Sequence, residues 1–446
     1  MKIVIIGAGE VGYYLAKRLI SEGNDVVIIE IDPERYHNAS ESLDAIVIQG
    51  SGSSTKVLAA AEVGSADVLI AVSALDEVNI LSCMIAKEMG AKKCIARVRN
   101  NEFSQKDSVI TAESLGIDLM VYPEQIAADA IVSLIKQSAA SRVVDFEGGK
   151  LQIMALQVRD DSPIIDRTVE DINESNPDNS FLCLCIYRNN KTIIPRGKNV
   201  YRSGDIIYFI AQKEDIPIVS KIVGYSEKEQ QHVMILGAGK VGRMVAAILS
   251  SDMDVKLIEE NREVAESVTE ELRDTLILHG DGTDIDFLIS ERVEGMDCFV
   301  AVSGSEKTNL LSGLLAQYLG VKRVIIHLTT NDYIPIMNKI GMDAVVSKNI
   351  ATVNAIMKYI RRGNVIAVSL FEDIEAEAIE MIPKEGSLIT KKPLYDLHIP
   401  TDIIVGAVIR HSGIIIPQGD TQIQANDKVV VFLKPDLIPQ IEKFFN

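Results

Sequence analysis

The stretch Ile5-Ile6-Gly7-Ala8-Gly9-Glu10-Val11-Gly12 decides the fold of this 446-residue chain, and a second copy of it occurs at Ile235-Leu236-Gly237-Ala238-Gly239-Lys240-Val241-Gly242. Each copy follows a run of apolar, mostly β-branched residues and opens a helical pattern. A strand, a tight glycine turn and a helix in this order are typical of a dinucleotide-binding fold.

The three glycines have separate tasks in such a turn. Gly7 lets the chain turn sharply, Gly9 lets a pyrophosphate approach the backbone, and Gly12 lets the helix pack close to the strand. The helix N-terminus offers unpaired N–H groups and a partial positive charge to phosphates. A glycine turn without a ligand is the alternative interpretation of a single copy. Two copies in matching contexts favour a nucleotide fold.

Length, charge and cysteine content restrict the class of protein. The length predicts three or four domains, and the net charge of −18 argues against nucleic acid as a partner. No apolar run is long enough to span a membrane, and the N-terminus begins a strand, so we expect neither a transmembrane helix nor a signal peptide. Five loosely spaced cysteines indicate reduced thiols in the cytosol. Cys183 and Cys185 are expected on one face of a strand as buried thiols rather than as metal ligands.

Six strands alternating with helices predict a doubly wound parallel sheet in the first part of the chain. The second strand ends in Glu30, with Asp32 just after it. An acidic residue about 20 residues past the glycine turn accepts hydrogen bonds from the ribose hydroxyls and repels a 2′-phosphate. NAD or an adenine nucleotide therefore fits better than NADP. The alternative is that Glu30 is a solvated strand end.

Further candidates follow the carboxyl ends of later strands, where ligands bind in open α/β sheets. Ser51 follows strand three and Ser73 follows strand four, where its alternative role is to cap the next helix. Arg97 and Arg99 end strand five and are placed to reach a terminal phosphate, or else to pair with surface carboxylates.

The whole plan then repeats, so the chain reads A-B-A-B. We predict Rossmann-like domains at 1–138 and 232–360, followed by small α+β modules at 142–225 and 365–446. Ser138–Ser141 and Ser226–Gln231 are interpreted as linkers. The candidates matching those of the first copy are Gly237, Gly239, Lys240, Val241, Gly242, Glu259, Asp281 and Ser303.

The two A copies differ in charge. Glu10 stands in the first glycine loop, whereas Lys240 and Arg243 stand in the second, and Arg97 is matched by His327. Positive charge favours a polyphosphate, and Glu10 opposes one unless it points to water. We therefore hypothesise that the two sites prefer different nucleotides.

The paired Ala-Val-Ser … Asn-Ile/Leu-Leu-Ser segments at 71–82 and 301–312, with the Pro-x-Gly … Gly/Asn-Asp tails, are more specific than the glycine loops. Together with the A-B-A-B order, they make the chain resemble the TrkA family over essentially its whole length. These are cytosolic regulatory subunits of Trk-type potassium uptake systems, built from two RCK (KTN) units.

The resemblance implies RCK-N domains that bind NAD(H) and the adenine nucleotides ATP and ADP. It also implies a tetrameric ring at the inner face of the cell membrane that gates a potassium-conducting membrane subunit, with membrane contact only through that partner. The glycines would hold phosphates, Glu30 and Glu259 ribose, and Ser73 and Ser303 would line the sites. Two features depart from the family pattern, namely Ser51 in place of the usual Asp, and the acidic Glu10.

Two other functions remain open at the level of sequence. One is an NAD-dependent dehydrogenase, although the small modules carry no evident catalytic group and the six histidines are scattered. The other is a nucleotide-sensing scaffold for a different transporter. Our expectation is a non-enzymatic regulatory subunit without a metal site.

Overall fold

The computed structural model of the chain describes residues 1–100, 102, 110–136, 140, 142–176, 179–189, 191–225, 231–329, 333, 336–337, 340, 342–360, 365–371 and 374–446. Of the two predicted linkers, only Ala140 and Gln231 lie within these residues. The described chain divides into two compact units, one made of residues 1–127 with 347–360 and the other of 128–346 with 361–446.

The first sheet is parallel with strand order β3-β2-β1-β4-β5-β6, which confirms the predicted doubly wound fold. Its strands are β1 Lys2–Ile6, β2 Asp25–Glu30, β3 Ile46–Gln49, β4 Val68–Ala71, β5 Lys93–Arg97 and β6 Leu119–Val121. The helices are α1 Glu10–Ser21, α2 Pro33–Ser42, α3 Thr55–Ala60, α4 Asp76–Met89 and α5 Pro123–Lys136. Central strands β1 and β4 are buried on both faces, which explains their continuous apolar runs. The strand order reverses between β1 and β4, so the crevice for a ligand lies at their carboxyl ends.

The first small module is an antiparallel sheet of order β10-β9-β11-β8-β7. Its strands are β7 Arg142–Phe146, β8 Leu151–Gln157, β9 Phe181–Arg188, β10 Lys191–Ile193 and β11 Ile206–Gln212, with helices α6 Val169–Glu174 and α7 Ile216–Val223. Apolar runs at 151–158, 181–187 and 205–209 predict β8, β9 and β11, and these predictions are confirmed. The sequence gives no signal for β7 and predicts a turn at 192–197, which overlaps β10. Both strands are short edge strands that pair on one side only and carry little of the alternating pattern.

The prediction that Cys183 and Cys185 share a face is wrong. Tyr208 pairs with Cys185 and Phe209 with Cys183, so Leu184 is an extra residue in a β-bulge. Cys183 therefore packs in the cluster that contains Phe209, and Cys185 packs in the cluster that contains Tyr208. The expectation that Cys183 and Cys185 are buried thiols is confirmed, and the other three cysteines are also free and buried.

The second parallel sheet repeats the first, with strand order β14-β13-β12-β15-β16-β17. Its strands are β12 His232–Leu236, β13 Asp254–Glu259, β14 Thr275–His279, β15 Cys298–Ala301, β16 Val324–His327 and β17 Ala344–Val346. The helices are α8 Lys240–Leu249, α9 Arg262–Glu271, α10 Ile285–Ser290, α11 Glu306–Tyr318 and α12 Lys348–Ile360.

The helices that follow the last strands do not stay with the sheets that precede them in sequence. Helix α12 belongs to the first unit, where it contacts α1 and β6. From Ala128 onward, α5 belongs to the second unit, where the guanidinium of buried Arg323 donates to the carbonyl oxygens of Leu134 and Ala140. The predicted domain 232–360 thus includes residues of both units, and the domain boundaries stay predictions.

The second small module repeats the antiparallel plan with order β18-β19-β22-β20-β21. Its strands are β18 Val365–Phe371, β19 Ala376–Met381, β20 Ile403–Arg410, β21 Gly413–Ile415 and β22 Lys428–Leu433, and helix α13 spans Ile438–Phe445. Apolar side chains from both modules form one core. In that core the rings of Tyr208 and Phe371 meet edge to face, with 5.2 Å between their centroids.

Within the described residues, no helix is both long enough and apolar enough to cross a lipid bilayer.

Candidate nucleotide-binding site

Two of the three glycines in each loop are required by the packing of the protein itself. Gly7 and Gly237 have φ of +98° and +105°, a conformation that glycine adopts without strain. A Cβ on Gly12 would lie 1.8 Å from the carbonyl oxygen of Gly7, and one on Gly242 would lie 1.9 Å from that of Gly237. These residues fix the approach of the helix to the preceding strand.

The middle glycine has no such packing reason. The nearest described atom to a Cβ on Gly9 would be Arg35 Nη1 at 3.6 Å, an ordinary contact, and a Cβ on Gly239 would have no described atom within 4 Å. Both residues have extended backbones that any residue adopts, and neither α1 nor α8 has a side-chain cap in the described structure. Backbone N–H groups in the first turn of each helix, such as those of Val11 and Val241, have no acceptor within their own helix. Such groups suit an anion.

The acidic residue at the end of the second strand of each sheet holds the glycine loop. Glu30 is buried, and its carboxylate accepts hydrogen bonds from the N–H groups of Ala8 and Asp32. Glu259 does the same for Ala238 at 2.8 Å and Asn261 at 2.9 Å. Burial excludes the interpretation of Glu30 as a solvated strand end. A carboxylate oxygen can accept more than one hydrogen bond, so each of these carboxylates has capacity for a further donor such as a ribose hydroxyl.

The carboxylate of Asp32 bonds the start of the next helix rather than the glycine loop. It caps α2, accepting hydrogen bonds from the N–H groups of Glu34 and Arg35 at 3.0 and 2.9 Å. Asn261 caps α9 in the matching position. The structure therefore gives Asp32 a helix-capping role.

The loops after β3 and β14 lie against the ends of the central strands. A Cβ on Gly52 would lie 2.2 Å from the Ile6 side chain, and one on Gly282 2.4 Å from Leu236. The preceding residues, Ser51 and Asp281, therefore border the crevice. The Ser51 hydroxyl lies 2.8 Å from that of Ser53, and Asp281 accepts from the backbone and hydroxyl of Thr283.

A buried asparagine positions the serine in each site. A Cβ on Gly7 would lie 3.0 Å from Ser73 Cα, so Ser73 borders the glycine turn. The Ser73 N–H donates to Asn79 Oδ1 at 2.8 Å, while Asn79 Nδ2 donates to the carbonyl oxygens of Ser73 and Arg97. The Ser73 hydroxyl does not cap α4. Its asparagine clamp joins the ends of β4 and β5.

The second copy has the same clamp. Asn309 is fully buried and bonds Ser303 and the carbonyl oxygen of His327. Asn79 and Asn309 recur in the repeated segments 71–82 and 301–312, but they are not among the residues predicted for the site. The signal was available, since an amide kept at the start of an apolar helix in both copies indicates a buried polar partner.

Arg97 and Arg99 lie at the carboxyl edge of the first sheet, as predicted. Arg97 is half-buried, and its Nε has no hydrogen-bond partner among the described residues. Burial, and then the neighbouring Arg99, lower the pKa of the Arg97 guanidinium from its ordinary value, while Glu124 and Asp76 oppose the shift. The Asp76 carboxylate accepts from the backbone N–H groups of Arg99 and Asn100.

The second loop carries a different set of side chains. Arg243 Nε donates to the carbonyl oxygen of Ala238 at 2.7 Å, and its Nη1 pairs with Glu271 at 2.9 Å. The matching residues of the first copy are Tyr13 and Ser42, whose hydroxyls lie 2.9 Å apart. His327, the counterpart of Arg97, is buried at the end of β16.

In the described residues, no group of three or more His, Cys, Asp and Glu side chains is arranged to hold a metal ion.

The structure thus brings most of the predicted residues together around each loop. Gly7, Gly9, Glu10, Val11 and Gly12 form the turn and helix start. Glu30, Ser51, Ser73, Arg97 and Arg99 occupy loop or strand-end positions at the same sheet edge. The second set, Gly237 to Gly242 with Glu259, Asp281 and Ser303, repeats this placement. The nucleotide-binding roles of these residues stay predictions.

Comparison with known proteins assigns the chain to a family. Residues 3–123 and 233–348 match the TrkA-N domain, and residues 379–446 match the TrkA-C domain. The Trk system potassium uptake protein TrkA homolog of Archaeoglobus fulgidus is 37% identical over 446 residues, covering all of both chains. TrkA homolog 1 of Methanosarcina mazei is 34% identical, again over all of both chains.

A solved structure, the GsuK channel bound to NAD, has the same fold. It aligns with a TM-score of 0.61 at 16% identity, covering 100% of this chain and 78% of the channel chain. The fold, the duplicated loops and the full-length identities agree, and the chain belongs to the TrkA family of Trk system potassium uptake proteins.

Proposed function

We propose that this protein is a nucleotide-responsive regulatory subunit of a potassium uptake system. It binds NAD(H) and the adenine nucleotides ATP and ADP at its two glycine loops. It works as a homotetramer in the cytoplasm, at the inner face of the cell membrane, and gates a potassium-conducting Trk-type membrane subunit. Full-length similarity to TrkA proteins supports the partner, and the NAD bound to the GsuK channel supports the ligand class.

The observation that best supports nucleotide binding is that the three glycines of each loop have different surroundings. Gly7 and Gly12 are required by close backbone packing. By contrast, a Cβ on Gly9 would meet only the end of the Arg35 side chain at an ordinary 3.6 Å, and one on Gly239 would have no described atom within 4 Å. Open space at an uncapped helix start, bordered by a carboxylate that holds the loop, suits a pyrophosphate and a ribose.

In this proposal the nucleotide is an effector rather than a substrate. A ligand shifts a conformational equilibrium only by its differential affinity for the two states. The nucleotides that compete for a loop must therefore favour different arrangements of the RCK ring, and the ring in turn biases the membrane subunit. NADH oxidation by a candidate metabolite at an enzymatic rate would contradict this role.

The first test changes Gly9 and Gly239 to alanine in the full chain. Each methyl group fits the protein but occupies the space proposed for phosphate, so we expect an unchanged melting temperature and at least a tenfold loss of affinity for NADH and ATP at the altered site. Calorimetric titration measures the affinity. Gly295→Ala, in open space away from both loops, is the matched control. Unchanged affinity in both loop variants would contradict nucleotide binding at these sites.

The second test concerns the partner. Affinity purification of the tagged protein from gently solubilised native membranes, followed by mass spectrometry, should recover a polytopic potassium-transport subunit. Potassium flux through that subunit in vesicles should then change with the nucleotide supplied. Recovery of another transporter would replace this function with that of a scaffold.

A further inference from the structure

The start of helix α12 lies beside the first glycine loop, although it follows the second Rossmann-like sheet in sequence. Asn349 is buried, and its Nδ2 donates to Glu10 Oε2 at 2.5 Å. Glu10 is the first residue of α1, and Asn349 is the second residue of α12. The N-termini of two helices therefore meet at this point, and each contributes a partial positive charge.

Lys348 begins α12 and is only partly exposed. Partial burial lowers the pKa of its ammonium group; Glu124 opposes this shift, Arg97 and Arg99 reinforce it, and Glu10 opposes it. Arg97 Nε is buried and has no hydrogen-bond partner among the described residues. The positively charged side chains of Lys348, Arg97 and Arg99 therefore lie near one another at the edge of the first site.

This placement is unfavourable for the protein alone. A cation in the first turn of a helix is opposed by the helix dipole, and two arginines nearby add repulsion. The first copy carries Pro123 and Glu124 at the positions of Lys348 and Asn349, counted from the ends of β6 and β17, so the helix start does not require a lysine. Glu124 and Glu10 offset this placement only in part, since the pKa of Lys348 stays lowered. A residue that breaks a local rule is typical of a functional site.

We propose that Lys348 binds the phosphates of the nucleotide in the first site, and that Asn349 holds the carboxylate of Glu10 aside from them. The inference rests on the proposed nucleotide-binding function. If so, the first nucleotide site is formed by residues from both halves of the sequence. It also explains how a loop with an acidic residue accepts an anion, since Glu10 is engaged by Asn349 while Lys348 and Arg97 supply positive charge.

The experiment measures ATP and NADH affinity in the full chain carrying Gly239→Ala, which leaves the first site as the one observed. We expect Lys348→Gln to weaken ATP binding about tenfold and to flatten its dependence on salt concentration, because one charged contact is lost. Lys348→Arg should retain most of the affinity. Lys358→Gln, at the exposed end of the same helix, is the matched control and should leave the affinity unchanged.

A second variant tests Asn349. Asn349→Ala should weaken ATP binding by releasing Glu10, and Glu10→Gln should restore it in that background. Melting temperatures separate these effects from loss of folding. If the Gly239→Ala chain binds no nucleotide, the proposed function of the first site fails. If it binds ATP and Lys348→Gln binds equally well with the same salt dependence, or if Lys348→Arg binds no better than Lys348→Gln, only the present inference is overturned.

Discussion

The two glycine loops have nearly the same backbone and different surroundings. Gly7 and Gly237 share a left-handed conformation, and the third glycines meet the preceding turn at 1.8 and 1.9 Å. Yet the residue after the middle glycine is Glu10 in the first loop and Lys240 in the second. The comparison teaches that a tight turn fixes its glycines for packing while leaving the charges around it free to differ. Fold and ligand preference are therefore separable, and each can be tested in one copy with the other as reference.

The largest effect is expected where the copies are most alike. Gly12→Ala and Gly242→Ala place a methyl group inside the van der Waals radius of a carbonyl oxygen, which must displace the helix. We expect each to destabilise its own sheet by about 3 kcal/mol or more. Hydrogen exchange resolves the sheets separately, which suits a chain of several domains.

The expected pattern is local. Gly12→Ala should speed exchange in β1 and β2 and leave β12 and β13 protected, and Gly242→Ala should do the reverse. Gly9→Ala and Gly239→Ala serve as controls and should leave both sheets protected. Equal protection in wild type and Gly12→Ala would show that the third glycine does not fix the helix.

A smaller difference between the copies is expected at the carboxylates. Glu30 is 4% exposed, whereas Glu259 is half-buried. Replacing either with alanine leaves two backbone N–H groups without their acceptor, at about 1–3 kcal/mol for each buried group. The loss should be larger for Glu30→Ala, because water reaches the orphaned groups less easily there.

Hydrogen exchange of β1 and β12 measures this difference as well. Glu30→Gln keeps one acceptor oxygen and should lose less protection than Glu30→Ala. If Glu259→Ala costs as much as Glu30→Ala, burial is not what separates the two loops.

The parts of this architecture that could be predicted from sequence are those with a local cause. Buried parallel strands are continuous apolar runs, and a tight turn requires glycine, so the order of strands and helices around Gly7 and Gly237 follows from the residues nearby. The repeat then predicts the second sheet. Glu30 was also predictable, because its distance from the turn is set by one helix and one strand.

The remainder depends on contacts between residues far apart in sequence. The place of α12 beside α1 has no signature in the residues of α12 itself, so Lys348 and Asn349 were not candidates. The bulge at Leu184 depends on the partner strand β11, and a count of alternate residues therefore put Cys183 and Cys185 on one face. The capping role of Asp32 depends on where α2 begins, and its predicted part in nucleotide binding stays a prediction.

The smallest expected effect on stability concerns the matching side-chain pairs that differ most in chemistry between the two copies. Arg243 and Glu271 form a partly exposed ion pair where Tyr13 and Ser42 form a hydroxyl contact. Exposed ion pairs contribute about 0.2–1 kcal/mol, and salt screens them. We expect Arg243→Ala to lower the melting temperature of the second sheet slightly, with part of the difference lost in high salt. Tyr13→Phe should change the melting temperature of the first sheet by an amount that does not depend on salt.

Melting followed by hydrogen exchange at low and high salt measures both changes. A salt-independent loss in Arg243→Ala would assign its contribution to the hydrogen bond with Ala238, in which case the second loop is held by the same kind of force as the first.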